Sequence, residues 1–234
     1  MRPLSVLDLA PVGPDSSPRE AIADSVTLAQ HCDALGYERY WVAEHHSMPS
    51  IATSAPEVLV AHVAAVTRRI RVGTGGIMLP NHNPLRLVEI FRTLEALYPG
   101  RIDFGVGRAP GTDPVTASAL QRGGTSDPNE RLAELLAFDQ SAFPDQHPFR
   151  NIVPMPSDVR LPPIWMLGST MAGATIAASL GLRYAFAGHF AMRNARSALA
   201  LYREQCRPSN GLVAPRAMLA VTVICGEDDA HAND

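Results

Sequence analysis

Short apolar runs of β type alternate with longer Ala- and Leu-rich stretches of helical period along the whole chain, which is the pattern of βα units feeding a parallel sheet. Leu4–Ala10 reads as a first strand. Ser17-Pro18-Arg19-Glu20 then supplies an N-cap, a proline at the first helical position and a capping-box glutamate for a helix to about Leu35, which Gly36 ends. Arg39–Ala43 reads as a second strand, and Ser54-Ala55-Pro56-Glu57 repeats the punctuation as a second capping box, opening a helix to about Arg68. A third strand spans Ile70–Leu79, and a helix starting at Pro84 runs to Leu97, where Pro99-Gly100 stops it. Ile102–Gly107 is a fourth strand. Asp127-Pro128-Asn129-Glu130 opens a helix to about Phe143, and residues 144–162, rich in proline and polar groups, read as a loop. Ile164–Leu167, Tyr184–Ala187 and Ala217–Cys225 supply the fifth, sixth and seventh strands, with Ala-rich helices at about 171–180 and 192–206.

With no composition break along the chain, these seven units predict one α/β domain over residues 1–234, built either as an open doubly wound sheet or as a TIM-type barrel. A complete (β/α)8 barrel needs eight units and typically ~250 residues. Only Gly226–Asp234 follows the seventh strand, so the barrel reading predicts a chain truncated after that strand, with the C-terminal unit missing.

Composition narrows the function classes. The chain has 234 residues, 46% hydrophobic and 18% charged, enough to bury a sizeable core. Its net charge is -3 and every basic residue is an arginine, scattered without a stripe that a polyanion could follow, so no nucleic-acid partner is expected. Cys32, Cys206 and Cys225 lie far apart with no CxxC spacing, which argues against a zinc site or a disulfide framework and favours a reducing cytoplasm. No window approaches the length of a membrane span, and a soluble cytoplasmic protein is expected.

In either parallel architecture the site lies beyond the carboxyl ends of the strands. Unusual residues collect there: Glu44-His45-His46 after the second strand, Gly75-Gly76 near the end of the third, Gly107-Arg108 after the fourth, Gly168-Ser169 after the fifth and Gly188-His189 after the sixth. Adjacent side chains on an extended segment point to opposite faces, so one of His45 and His46 can face a pocket while the other serves structure. Adjacent histidines suit a shared metal poorly, and no metal site is expected. Gly73, Gly75 and Gly76 weaken a strand unless something needs the missing side chains, either a flat ligand against the backbone or a bend of the strand. Arg108 offers a planar fork of donors to a phosphate or carboxylate, or else forms a surface ion pair. Gly168-Ser169-Thr170 opens a helix whose first N–H groups suit an anion, although small residues there are also ordinary caps. Gly105-Val106-Gly107-Arg108-Ala109-Pro110-Gly111 misplaces the third glycine of a dinucleotide fingerprint.

Taken in series, Tyr40–His46 (YWVAEHH), Val72–Pro80 (VGTGGIMLP), Gly100–Arg108 (GRIDFGVGR) and Leu167–Ser169 (LGS) resemble the bacterial luciferase-like flavin monooxygenases over nearly the whole chain. The resemblance implies a TIM-type barrel that holds reduced FMN and uses O2 to oxidise an aldehyde or another small organic substrate. It makes His45 the catalytic histidine, rests the flavin on a non-prolyl cis peptide at Gly75-Gly76, and gives the phosphate to Arg108, Gly168 and Ser169. It further implies a separate flavin reductase as the source of FMNH2, and a homodimer. Deazaflavin F420-dependent enzymes share the family and are the rival for the cofactor. Two other rivals are a flavin-binding protein without turnover and, on His45-His46 alone, a metal-dependent hydrolase.

Overall fold

The computed structural model describes residues 3–121, 127–209 and 211–233. The chain divides into two compact units, Met1–Trp165 and Met166–Asp234. In the first, the elements run β1 (Ser5–Asp8), α1 (Pro18–Leu35), β2 (Arg39–Val42), α2 (Pro56–Val66), β3 (Arg71–Thr74), β4 (Ile77–Met78), α3 (Pro84–Leu97), β5 (Ile102–Gly107), α4 (Pro114–Leu120) and α5 (Pro128–Gln140). β1, β2, β3 and β5 are parallel neighbours in that order, and β4 pairs with β5. β6 (Ile164–Gly168) carries the chain into the second unit, which adds α6 (Met171–Ser179), β7 (Arg183–Ala187), α7 (Gly188–Gln205), β8 (Ala217–Ala220) and α8 (Asp229–Asn233). β7 and β8 are parallel, with Tyr184 opposite Ala217.

The local signals explain most of these boundaries. Ser17 and Glu20 form the reciprocal capping box at α1, with Glu20 N–H donating to Ser17 Oγ (3.3 Å) and Ser17 N–H donating to Glu20 Oε2 (2.8 Å). Gly36 ends that helix in the left-handed region at φ 80°. The second capping box does not form: α2 takes Ala55 as its N-cap, one residue later than Ser54 requires, so Glu57 is no longer three residues from the cap and no side chain caps the helix. α4 carries no amphipathic pattern, because none of its residues is buried; it exists by its cap, with Asp113 accepting from the N–H groups of Val115 (2.9 Å) and Thr116 (3.0 Å). The stretch read as one strand over Ile70–Leu79 is divided into β3 and β4 by a cis peptide bond at Gly75-Gly76. α7 starts at Gly188, ahead of the expected residue 192, and is interrupted at Ala191. β8 stops at Ala220, short of Cys225; Val223 beyond it is 80% exposed, so its apolar character buries nothing.

The strands at the interior of the first unit are buried on both faces, as parallel strands covered by helices are, and every residue of β5 is buried. Tyr40, Val42, Val72, Ile102, Phe104 and Val106 are buried, and Phe91 of α3 stacks on Phe104 at 3.7 Å between ring centroids. Burying an aromatic side chain of this kind stabilises by about 1.5–3 kcal/mol. At the amino ends of the strands Asp103 is buried, and it accepts from Arg39 Nε (3.0 Å), Arg71 Nε (3.0 Å), Arg71 Nη2 (2.6 Å) and Trp41 Nε1 (3.2 Å). The connection from α2 to β3 is held by Asp33 near the end of α1, whose carboxylate accepts from the N–H groups of Arg68 (2.9 Å), Arg69 (3.0 Å) and Ile70 (2.7 Å). No helix among the described residues is long and apolar enough to cross a membrane.

Candidate active site

The carboxyl ends of β2, β3 and β5 bring together Glu44, His45, His46, Gly75, Gly76 and Arg108 in the first unit. Backbone bonds fix two of them: Gly75 N–H donates to Val42 C=O of β2 (2.8 Å), and His45 N–H to Thr53 C=O of the loop before α2 (2.9 Å). The two histidines part as alternation requires. His46 turns to Glu44, with Nε2 2.9 Å from Oε1. His45 turns away, and its Nδ1 is buried with no hydrogen-bond partner. Burial lowers the His45 pKa, an effect opposed by the Glu44 charge and supported by His46, so the ring is neutral over a wider pH range than a free imidazole.

Glu44, without an assigned role in the sequence, is the most heavily satisfied group of the site. It is fully buried and receives His46 Nε2, Met78 N–H (2.8 Å), Asn81 Nδ2 (3.2 Å) and His82 Nε2 (2.9 and 3.0 Å to its two oxygens). Burial alone raises a carboxyl pKa, but the bond and charge of His82, the bond from His46 and the Met78 N–H outweigh it and hold Glu44 below its usual range. Burial likewise pushes His82 towards neutrality, and Glu44 with help from Glu57 reverses that and raises it, against Arg131. His82 escaped the sequence reading because no motif contains it. Its one signal is position, a histidine between the end of the third strand and the Asn83-Pro84 helix start.

The glycines are explained by their neighbours. A Cβ on Gly73 would lie 2.4 Å from Asp103 C=O, one on Gly75 2.5 Å from Leu7 Cδ1, and one on Gly76 2.8 Å from Gly105 C=O. Close approach of the β5 backbone accounts for Gly73 and Gly76, and the side chains of Leu7 and Trp41 fill the space beside Gly75. Arg108 is half-buried; its Nη1 donates to Asn129 Oδ1 (3.4 Å), and its Nε is buried without a partner.

In the second unit, Gly168 ends β6 and Ser169 precedes the helix cap, which is Thr170: its side chain accepts from Gly173 N–H (3.2 Å). At the end of β7, a Cβ on Gly188 would meet Ala220 C=O at 2.6 Å, and His189 beside it is exposed. Among the described residues no group of His, Cys, Asp and Glu side chains could hold a metal ion.

The first-unit residues fit a flavin on two observations of the structure: a neutral imidazole and a guanidinium each keep a buried nitrogen with no protein partner, and both stand at strand ends on either side of the Gly75-Gly76 peptide. A buried donor or acceptor left unpaired is costly unless a ligand completes it.

Comparison with known proteins agrees in extent and order. The family model for luciferase-like monooxygenases matches residues 3–234. A luciferase-like monooxygenase of Escherichia coli (strain K12) is 44% identical over 232 residues, covering 97% of this chain and 68% of the relative. The crystal structure of apo-MsnO8 superposes with a TM-score of 0.90 at 40% identity, covering 100% of this chain and 69% of that one. The oxygenating constituent of 3,6-diketocamphane monooxygenase of Pseudomonas putida, solved with FMN, shares the fold at a TM-score of 0.79 and 18% identity, covering 100% of this chain and 71% of that one.

Proposed function

Since the chain belongs to the luciferase-like monooxygenase family, with its TIM-type α/β fold, and is a flavin-dependent oxidoreductase, we propose that its flavin is reduced FMN and that it inserts oxygen from O2 into an aldehyde or another small organic substrate. In this reading a separate reductase supplies FMNH2 and the working form is a homodimer. The observation that carries the proposal is the pair of unsatisfied buried nitrogens, His45 Nδ1 and Arg108 Nε, at the strand ends beside Gly75-Gly76.

The roles follow from the chemistry of each group. When bound, FMN supplies the electron transfer to oxygen; the protein supplies position and protons. The Gly75-Gly76 backbone offers a flat seat without side chains. Arg108 offers charged donors to a phosphate. His45, kept neutral by burial, can accept a proton at Nδ1 and return it, and shielding from bulk water keeps that exchange local. Within the second unit, Gly168 and Ser169 at the start of a helix are proposed as donors to an anion, on the strength of the family resemblance and the backbone N–H groups beside the Thr170 cap.

The test is titration with oxidised and dithionite-reduced FMN, followed by oxygen uptake with a long-chain aldehyde. Binding of the reduced form with aldehyde-dependent uptake supports the reading. Retention of F420 with rejection of FMN overturns the cofactor assignment, and stoichiometric FMN retention without uptake points to a binding protein. In an active preparation His45→Ala is expected to keep FMN affinity within a few-fold and to slow product formation by ~10²–10⁴, the range for a lost acid–base group.

A further inference from the structure

A carboxylate with no exposure must have its lone pairs met from within the protein. At Glu44 the donors come from distinct segments: His46 from the end of β2, and Met78, Asn81 and His82 from β4 and the turn that follows it. The same groups reach the loop after β5, where Asn81 Nδ2 donates to Pro110 C=O (2.8 Å), His46 N–H to Gly111 C=O (3.2 Å) and Thr112 Oγ1 to His46 C=O (2.7 Å). Each segment also carries one of the groups assigned to the flavin: His45 beside Glu44, Gly75-Gly76 before β4, and Arg108 after β5. We propose that Glu44, gripped by His46 and His82, is a positioning residue that fixes these three groups in one geometry, and that the proton on His82 strengthens or releases the grip.

The charges around the cluster make a proton the natural control. Two imidazoles donating through Nε2–H to one carboxylate are electrically balanced when one of them is an imidazolium. His82 is the one favoured, because Glu44 faces it at 2.9 Å and Glu57 of α2 adds to the attraction, while Arg131 of α5 opposes it with a charge and binds the His82 carbonyl (2.6 Å). His45 cannot take this part, since its Nδ1 has no acceptor. Below the His82 titration the buried carboxylate is neutralised in place; above it, Glu44 is left with uncharged donors and the hold loosens.

The consequence for flavin rests on the FMN reading, and the experiment separates the two. Flavin dissociation constants are measured on the full chain by fluorescence quenching between pH 5.5 and 9, with riboflavin run beside FMN because it lacks the titrating phosphate. For both flavins, wild type is expected to bind about 5- to 10-fold more weakly at the high end, in the range of ordinary coupling between sites. Glu44→Gln should bind about 10-fold more weakly than wild type at pH 6 and lose the pH step. His82→Gln, which keeps an N–H donor but cannot titrate, should lose the step as well, and it decides the matter if Glu44→Gln does not fold. Arg108→Ala should bind FMN more weakly at every pH and keep the step. A step that persists in His82→Gln overturns the proposal. The His82 imidazole is titrated independently by NMR without flavin: a pKa above the free-imidazole value of about 6.5 that falls in Glu44→Gln upholds the grip, and one at or below it overturns the proposal. If wild type binds no flavin at all, the FMN reading fails, and the NMR titration alone decides the role of Glu44.

Discussion

Two buried carboxylates in the first unit, Asp103 and Glu44, are satisfied by opposite kinds of partner. Asp103, at the amino ends of the strands, lies between the guanidiniums of Arg39 and Arg71 and the indole of Trp41, and Arg71 also donates to Gly100 C=O and Ile102 C=O. Glu44, at the carboxyl ends, lies among imidazoles, an amide and one backbone N–H. Guanidinium keeps its charge at every pH a protein survives, whereas imidazole changes charge near neutrality. The end of the sheet with no candidate chemistry is thus locked by permanent charges, and the end that carries the candidate site is held by adjustable ones.

The largest effect should come from breaking the permanent lock. Asp103→Leu takes the shared buried acceptor from the half-buried Arg39 and Arg71 guanidiniums and from the Trp41 indole, and is expected to lose about 3 kcal/mol of stability at any pH between 6 and 9, measured by urea unfolding. A pH-dependent loss would dissolve the contrast with Glu44. Glu44→Ala should cost about 1–3 kcal/mol at pH 6, because its partners can shed their charge or be met by water. That cost should shrink towards pH 9. The sign follows from both partners: His82 is raised, so its contribution is complete below its unfolded pKa of about 6.5 and fades as pH climbs through the folded value; Glu44 is lowered, so its contribution is complete above about 4.3 and fades only in acid. A Glu44→Ala cost that grows from pH 6 to 9 would contradict the charge assignment. Smaller again, Arg108→Ala should weaken FMN binding by at least ~1.5 kcal/mol with a nearly unchanged melting temperature, since its Nε has no partner and its Nη1 makes one long, exposed bond to Asn129. Equal FMN affinity in the two proteins would move the phosphate elsewhere. The smallest expected change is in the stability of His45→Ala, within about 0.5 kcal/mol of wild type by the same unfolding measurement; a large loss would place His45 in the scaffold.

Elements with local punctuation were legible in the sequence, and those that depend on spatial neighbours were not. Ser17 and Glu20 announce α1, and Asn83-Pro84 announces α3, because a cap and its N–H partners lie within one turn. Asp113-Pro114 carries the same signal for α4, but the sequence reading contains no helix there, and α4 has no buried face to mark one. Ser54 shows the converse, a capping box correct in letters that the chain declines by starting its helix one residue later. At the site, His45, Gly75-Gly76 and Arg108 stood out because they end apolar strands. His82 did not, because its role arises from Glu44, 38 residues away along the chain. The glycines were legible as exceptions but not in their cause, since Leu7 and Gly105, which fill the space beside them, are distant in sequence.

The carboxylate of Asp33 has a consequence for how the chain breathes. Arg68, Arg69 and Ile70 lie in an irregular connection whose amides would ordinarily exchange with solvent deuterium as freely as those of any loop. Since Asp33 engages all three, their exchange requires the end of α1 to let go of the entrance to β3. These amides should therefore exchange together and at a helix-like pace, making that short stretch a reporter of the moment when the first helix parts from the sheet.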